Sequence, residues 1–205
     1  MYPFRYLFLL LFFNLAASSQ ELFCSIGKNF TTYNYRDANG ATLNGLERGS
    51  GLFVEGGVLY HFDSEEVFFY QGSLTLNQYN ASANISSRQY SWKTNYLGVQ
   101  NVVGIRLFKT RTTFNMNVKL GVNISHIISG KQISDGMPYD LKKEPEFKGV
   151  FIAPLGGLIL NYEVSDYVDL VGGYSYSIPF NLSAAPEKLS FSNSQISVGF
   201  HFKPR

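Results

Sequence analysis

The residues of this chain that could do chemistry are its histidines and the serines beside one of them. His61, His126 and His201 lie far apart, and none has a second histidine at a metal-ligand spacing. Ser125 precedes His126 and Ser129 follows it, and a histidine close to a serine is the pairing that activates a hydrolytic nucleophile. No serine elbow, phosphate-binding glycine loop or calcium-loop pattern accompanies them. The sequence therefore predicts no catalytic, metal or cofactor site. Ser125 and His126 are the residues whose arrangement in the structure tests that prediction.

The elements that would position these residues are strands. In the segment 114–124 apolar and polar residues alternate without error, and a period of two is that of a β-strand. A strand of about 9–11 residues is long enough to cross a bilayer. Because one face is wholly apolar and the other carries a lysine, we predict that the first contacts lipid and the second a hydrated interior. The predicted lipid-facing residues are Phe114, Met116, Val118, Leu120, Val122 and Ile124.

Similar alternation recurs along the chain. The predicted strands lie at about 21–33, 50–62, 67–79, 94–108, 113–125, 148–163, 167–180 and 190–202. The gaps between them are alternately long and short, at 34–49, 63–66, 80–93, 109–112, 126–147 and 164–166, with a last gap of medium length at 181–189. Tight turns at one rim and longer loops at the other are typical of outer-membrane barrels. The predicted fold class is all-β, an eight-stranded antiparallel up-and-down transmembrane β-barrel.

The start of the chain predicts export. A basic residue precedes the apolar run at 6–13, and small residues follow it up to Ser19, which is the pattern of a signal peptide. A membrane anchor helix is the competing interpretation, but Asn14 interrupts an apolar run that is well short of the roughly 20 residues a helical span requires. We therefore predict a signal peptide at 1–19 and an outer-membrane β-barrel domain at 20–205.

Composition excludes several classes of protein. One cysteine cannot form an internal disulfide, and a net charge of +2 leaves neither a basic stripe for nucleic acid nor an acidic tail. No segment after the apolar run at 6–13 is apolar for long enough to be a transmembrane helix. High counts of Tyr (14), Phe (18) and Gly (19) fit a β protein held together by strand pairing and packing.

The interior of a barrel of this size is just wide enough for side chains to fill. The alternation points Glu55, Arg106, Lys119 and Asp169 inward, with the first and third near mid-height and the other two near the rim of short turns. Charges in a narrow interior need partners or water, so we predict two internal ion-pair clusters that plug the lumen. Isolated charges in a wet lumen are the alternative.

Aromatic residues concentrate where the predicted strands approach the short turns, a depth that amphipathic rings favour. That belt comprises Tyr60, Phe62, Phe68, Tyr70, Phe108, Phe114, Tyr162, Tyr167, Phe200 and Phe202. A looser second belt near the long loops comprises Tyr79, Trp92, Tyr96 and Phe180. The alternative is that β propensity alone enriches aromatics in strands.

Four segments carry a resemblance to a known family. They are Ser-Ile-Gly-Lys-Asn-Phe-Thr-Thr, Gly-Leu-Phe-Val-Glu-Gly-Gly-Val-Leu-Tyr, Phe-Phe-Tyr-Gln-Gly-Ser and the closing Ile-Ser-Val-Gly-Phe-His-Phe. With them the chain resembles the porin-like outer-membrane β-barrel domain family of Gram-negative bacteria over essentially its whole length after the signal peptide. The resemblance implies an eight-stranded barrel like the OmpA and OmpX types, mostly without an assigned biochemical activity. Such barrels usually finish on an aromatic residue, whereas Lys203, Pro204 and Arg205 follow Phe202 here.

Three function classes follow. The favoured one is a small outer-membrane barrel with a structural or surface-interaction role through its extracellular loops, and the others are a narrow porin-like channel for small solutes and a soluble lipocalin-like small-molecule binder. Some small outer-membrane barrels are lipid A esterases with a histidine and a serine on the outward rim, but their His-x-Ser spacing is absent here, so we predict no enzyme. Expected partners are outer-membrane lipid, the barrel-assembly machinery and an extracellular ligand or surface partner, with no nucleic acid and no cofactor.

Overall fold

The computed structural model describes residues 20–36, 40, 45–85, 88–109, 113–134, 136–144, 146–182 and 188–203, so the predicted signal peptide lies outside the described residues. No helix among them is both long and apolar enough to cross a membrane. A single 3-10 turn, Leu141–Lys143, accompanies the strands of the described chain. These strands are β1 Gln20–Arg36, β2 Leu46–His61, β3 Phe68–Ile85, β4 Arg88–Lys109, β5 Phe114–Ser134, β6 Met137–Asp140, β7 Val150–Ser165, β8 Val168–Ser177, β9 Phe180–Asn181 and β10 Lys188–Phe202.

The strands form one closed antiparallel sheet. Around the barrel the long strands follow the order β5-β4-β3-β2-β1-β10-β8-β7, and β7 pairs again with β5 to close the ring of eight. The closing ladder runs from Phe114 opposite Tyr162 to His126 opposite Val150. The two short strands lie outside this ring, with β6 paired to the end of β5 and β9 between β7 and β10. Closure leaves none of the long strands with an unpaired edge. The predicted fold class is confirmed.

The two faces of the sheet are the reverse of those in a soluble barrel. On β5, Leu120 is 62% exposed on the outside, whereas Lys119 beside it is 5% exposed in the lumen. The six residues that the sequence predicts to face lipid all lie on the outer face of β5, where they are half-exposed or exposed. A lipocalin-like binder would turn its apolar residues inward around a ligand instead. The outer surface of this barrel is suited to lipid.

The strands run further than the alternation predicts. β4 has 22 residues, about twice what a bilayer crossing needs. Most of the predicted loop 80–93 is strand, because β3 and β4 stay paired up to Ile85 opposite Arg88, and β5 likewise continues to Ser134 and pairs with β6. These loop predictions were wrong because polar strands outside a bilayer have no lipid face to mark them. The barrel wall therefore continues beyond membrane height at this end, which we call the loop end.

The opposite, turn end is closed by tight connections. In the turn between β2 and β3, the Asp63 carboxylate accepts hydrogen bonds from the backbone N–H groups of Phe68 (2.9 Å) and Val67 (3.0 Å). These bonds, led by the one from Phe68, hold the pKa of Asp63 below its usual value. Next to this turn, Arg106 N–H donates to the Val67 carbonyl at 2.8 Å, which ties the end of β4 to the same connection.

Candidate functional site

The lumen is the region where polar and charged groups come together, and its middle layer is a hydrogen-bonded network. Glu55 on β2 is buried and accepts bonds from Ser73 Oγ and Gln100 Nε2, both at 2.6 Å. Beside it, Asn123 Nδ2 on β5 donates to Thr75 Oγ1 on β3 at 2.7 Å, passing over the intervening strand β4. The sequence predicts Glu55 as part of an ion-pair cluster, but its partners in the structure are neutral donors. A carboxylate with two such donors is satisfied without a cation beside it.

A second chain of amides crosses the same layer. Thr31 Oγ1 donates to Asn193 Oδ1 (3.1 Å), Asn193 Nδ2 donates to Asn29 Oδ1 (3.0 Å), and Asn29 Nδ2 donates to Asn77 Oδ1 (3.1 Å). All four residues are buried, and they come from β1, β3 and β10. The two bonds to Asn193 join the first and last strands of the barrel, so they stabilise the closed ring, and the bond from Asn29 to Asn77 links β1 to β3 past β2. The middle of the lumen is thus filled by side chains that bond to one another.

Lys119 faces the lumen between this layer and the turn end, opposite Gly104 on one neighbouring strand and Gly157 on the other. The space above Gly104 is taken by the Phe69 ring, so the interior around Lys119 is closely packed. In the described part of the chain, no ion pair within 4.0 Å joins Lys119 to Glu55. The predicted mid-height ion-pair cluster is therefore not a direct pair, although both residues lie inside.

Charged residues gather at the turn end. Asp169 Oδ1 lies 2.8 Å from Lys203 Nζ, and Arg106 Nη2 lies 3.1 Å from Glu66 Oε2. Burial alone would lower the pKa of Lys203, but the hydrogen bond and the charge of Asp169 outweigh it and raise that pKa. These residues line one polar cavity of about 40 Å³ together with Glu21, His61, Glu163 and His201. Arg106 and Asp169 share this cavity as the sequence predicts for the rim, but each has a different ion-pair partner from the predicted one.

Towards the loop end the lumen is closed by an apolar plug. Its core is Phe191, which is fully buried and stacks on Phe151 with ring centroids 5.3 Å apart and on Tyr33 with centroids 4.6 Å apart. The Tyr33 hydroxyl lies 3.0 Å from Thr94 Oγ1, so the plug is bonded to the barrel wall as well as packed. The plug comprises Tyr33, Tyr79, Ala81, Tyr96, Ile127, Leu141, Phe147, Phe151, Leu189 and Phe191.

The segment between β6 and β7 completes this plug from above. It places Leu141 and Phe147 among the buried residues of the plug. The amide of Asn181 on β9 donates to the carbonyls of Glu146 and Lys148, both at 2.8 Å, and so fixes the backbone on either side of Phe147. The end of the barrel is consequently capped by its own chain, and the cap is held at a defined position.

Two of the four residues in the predicted second aromatic belt, near the long loops, do not lie where the sequence predicts. Tyr79 and Tyr96 do not face lipid but lie in the plug, with ring centroids 5.5 Å apart. The alternation could have predicted this. Tyr79 is an even number of residues from the inward-facing Thr75, and Tyr96 is an even number of residues from the inward-facing Gln100. Of the other two, Phe180 is exposed and Trp92 packs partly buried against the plug.

Comparison with solved structures identifies this architecture. The chain matches the outer membrane protein OprG from Pseudomonas aeruginosa at 13% sequence identity and a TM-score of 0.57, covering 93% of this chain and 98% of that one. It also matches the outer membrane protease OmpT from Escherichia coli at 8% identity and a TM-score of 0.51, covering 91% and 97%. The fold is that of an outer-membrane β-barrel. No family model and no curated protein sequence matches the chain.

The catalytic candidate of the sequence is not assembled in this outer-membrane β-barrel. Ser125 is buried in the lumen and His126 is exposed on the outer face, because neighbouring residues of a strand point to opposite sides. His126 Nδ1 lies 2.8 Å from the Gly149 carbonyl, and Ser129 Oγ accepts a bond from Asn95 Nδ2 at 2.8 Å. His126 and Ser129 therefore have separate partners, and Ser125 lies on the opposite face of the strand from His126. Within the described residues no group of three or more histidine, cysteine or acidic side chains is placed to hold a metal ion.

Proposed function

We propose that this protein is an outer-membrane surface barrel that acts through its loop-end hairpins and is sealed against the passage of solutes. The observation that supports this most is the plug, in which Tyr96, Phe151 and Phe191 are fully buried across the lumen. A barrel of eight strands has no free cross-section once its interior side chains are packed. Such a filled interior opposes the conduction of solutes and is compatible with a binding function at the surface.

The layers below the plug support the same proposal. The cavity lined by Asn77, Gln100, Asn123 and their neighbours has a volume of about 10 Å³, and the turn-end cavity one of about 40 Å³. The first of these is at the lower limit for a single water molecule. A channel for small solutes, the second candidate, would need these layers to separate. Their mutual hydrogen bonds across strands oppose that.

The hairpins at the loop end carry the proposed interaction. In outer-membrane barrels the short turns lie in the periplasm and the longer connections outside the cell. The β3–β4 and β5–β6 hairpins would then project from the cell surface as paired strands, which present side chains in a fixed order rather than as a mobile loop. The outer membrane as location, outer-membrane lipid and the assembly machinery as partners, and a surface partner bound at the hairpins all belong to this proposal.

Two measurements test it. Purified protein added to planar lipid bilayers, with an open porin as positive control, is expected to insert without conductance, and steady single-channel conductance would contradict the sealed lumen. An epitope inserted between Ile85 and Arg88 is expected to be labelled on intact cells. The matched control carries the same epitope between Ser64 and Glu65 in the β2–β3 turn and is expected to be labelled only after permeabilisation. The reverse labelling pattern would overturn the proposed orientation.

A further inference from the structure

One polar side chain lies in the middle of the apolar outer face. The outward-facing residues along the membrane-spanning part of β4 are Leu97, Val99, Asn101, Val103 and Ile105. Asn101 is the one polar residue among them, and it has two apolar outward-facing neighbours on either side along the strand. The facing residue of β5, Val122, is apolar as well. Asn101 is therefore placed at the height of the bilayer interior, where water does not reach.

The amide of Asn101 is only partly satisfied by its own chain. The Tyr70 hydroxyl on β3 donates to Asn101 Oδ1. Asn101 Nδ2 has no hydrogen-bond partner among the described residues, and it is accessible at the outer surface. Acyl chains offer no acceptor, so this donor stays unpaired in a single barrel surrounded by lipid. Polar groups in such positions form contacts between membrane-embedded segments.

The backbone beside Asn101 is open to close approach. Gly72 on β3 lies directly opposite Asn101, and Gly56 on β2 lies directly opposite Leu74. A methyl group built on Gly56 meets one atom within 4 Å, a backbone oxygen at 3.8 Å, so no side chain of the described barrel covers it. Leu74 protrudes between the two glycines and is 63% exposed. Small residues beside protruding apolar ones allow two membrane-embedded surfaces to pack together.

We propose that the outer face of β2, β3 and β4 is the contact of a symmetric dimer, in which Asn101 pairs with Asn101 of a second copy. A carboxamide is self-complementary, because each Nδ2 donates to the Oδ1 of the other, and Oδ1 has a lone pair besides the one that Tyr70 occupies. A two-fold axis brings the same residue of two copies together, so one residue satisfies both sides. The inference goes beyond the proposed function and rests on one part of it, the location in the outer membrane, because only lipid leaves the amide without another partner.

The test measures association inside a bilayer. Energy transfer between full-length barrels labelled at the amino terminus and refolded in phospholipid vesicles is followed as the protein is diluted with lipid. The unmodified protein is expected to dimerise reversibly. Asn101→Leu removes two amide bonds per dimer and is expected to weaken dimerisation about 5- to 30-fold. A monomer at every ratio of protein to lipid would overturn the proposal, and so would dimerisation that Asn101→Leu leaves unchanged.

Tyr70→Phe is the control for the bond within the chain, because Asn101→Leu removes that bond too. It deletes the bond from the hydroxyl but keeps the amide, so it is expected to dimerise within about 2-fold of the unmodified protein. An equal loss in Tyr70→Phe and Asn101→Leu would assign the effect to the surface of the single barrel and contradict the amide contact. Heat-dependent migration in SDS gels checks that each variant forms a closed barrel.

A pair of glycine variants locates the contact. Gly56→Leu adds a large side chain to the proposed face and is expected to weaken dimerisation about 10-fold or more, a loss typical of misfitted packing. Gly172→Leu is the matched control, because Gly172 lies on the outer face of β8, on the opposite side of the ring from β3, and a methyl group built there meets no atom within 4 Å. It is expected to dimerise like the unmodified protein. Equal dimerisation of the two variants would place any contact elsewhere and overturn the proposal.

Failure of this inference is distinguishable from failure of the proposed function. A barrel that is silent in planar bilayers and labelled at its hairpins, but monomeric in vesicles, would refute the dimer and leave the proposed function standing. A dimer that Asn101→Leu disrupts, in a barrel that conducts, would support the dimer and refute the sealed lumen.

Discussion

Gly104→Ala is the substitution that tests the packed lumen most directly. Gly104 lies on β4 next to the side chain of Phe69 on β3. A methyl group added at Gly104 would overlap this ring, with Phe69 Cε1 at 2.5 Å and Cε2 at 2.7 Å. The ring cannot move away freely, because it is buried in the turn-end apolar cluster with Phe23, Leu59, Ile159 and Val171. Overpacking of this kind costs about 1–3 kcal/mol of unfolding free energy.

Gly172→Ala provides the matched control. Gly172 lies on the outer face of β8, and a methyl group built there meets no atom within 4 Å. Both substitutions restrict the unfolded chain equally, which stabilises each variant by about 0.4–1 kcal/mol. The difference between the two variants therefore isolates the steric cost of about 1–3 kcal/mol. Gly104→Ala alone is expected to lose about 0–2.6 kcal/mol once the two effects are combined, so the comparison with Gly172→Ala is the decisive quantity.

The assay is reversible unfolding in urea with the protein refolded in phospholipid vesicles, followed by the fluorescence of Trp92. Trp92 lies at the loop end, far from both glycines, so it reports unfolding of the whole barrel and not a local change. Heat-dependent migration in SDS gels checks that each variant forms a closed barrel. Equal unfolding free energies for the two variants would refute the inward packing of Phe69 against Gly104, and with it the filled lumen at the turn end.

Two further predictions concern pH. The pKa of Lys203 is raised in the folded state, so the stability it contributes is present below the ordinary lysine value of about 10.4 and is lost as pH rises through the folded value. Unfolding titrations from pH 9 to 12 should show a steeper loss in the unmodified protein than in Lys203→Gln, and parallel curves would contradict the ion pair with Asp169. The pKa of Asp63 is lowered, so its contribution is present above about 3.9 and is lost as pH falls through the folded value. Asp63→Asn should lack that acid-dependent component between pH 5 and 2, and an unchanged acid profile would show that the turn does not depend on the carboxylate.

The alternation of apolar and polar residues was sufficient to predict the strands in the membrane-spanning half of the barrel. Leu120 and Lys119 have opposite surroundings because a strand exposes successive side chains to opposite faces, and a lipid face must be apolar throughout. The strict order of short and long gaps then indicated antiparallel neighbours and the number of strands that closes the barrel. These features follow from periodicity and chain connectivity, which a sequence carries residue by residue.

The alternation of apolar and polar residues did not predict which inward-facing side chains contact one another. Alternation shows that Glu55, Arg106 and Asp169 point inward, but their distances depend on barrel closure and on the stagger of the strands, which bring together residues far apart in the chain. Ser73 on β3 and Gln100 on β4 supply neutral donors to Glu55, and Lys203 of the segment after β10 reaches Asp169 on the neighbouring strand β8. The strand extensions at the loop end were not predicted either, because strands outside the bilayer have no apolar lipid-facing side and so lack the alternation used to find strands.

By itself, then, the sequence determined which residues of the long strands lie on the outer face and which point inward, because the period of a strand is a local property. Only the tertiary structure decided what fills the interior: an aromatic plug capped by Phe147, a hydrogen-bonded middle layer and a charged turn end. The physical reason is that a narrow lumen brings side chains from all the long strands into contact. Which groups meet there is set by the geometry of the whole ring.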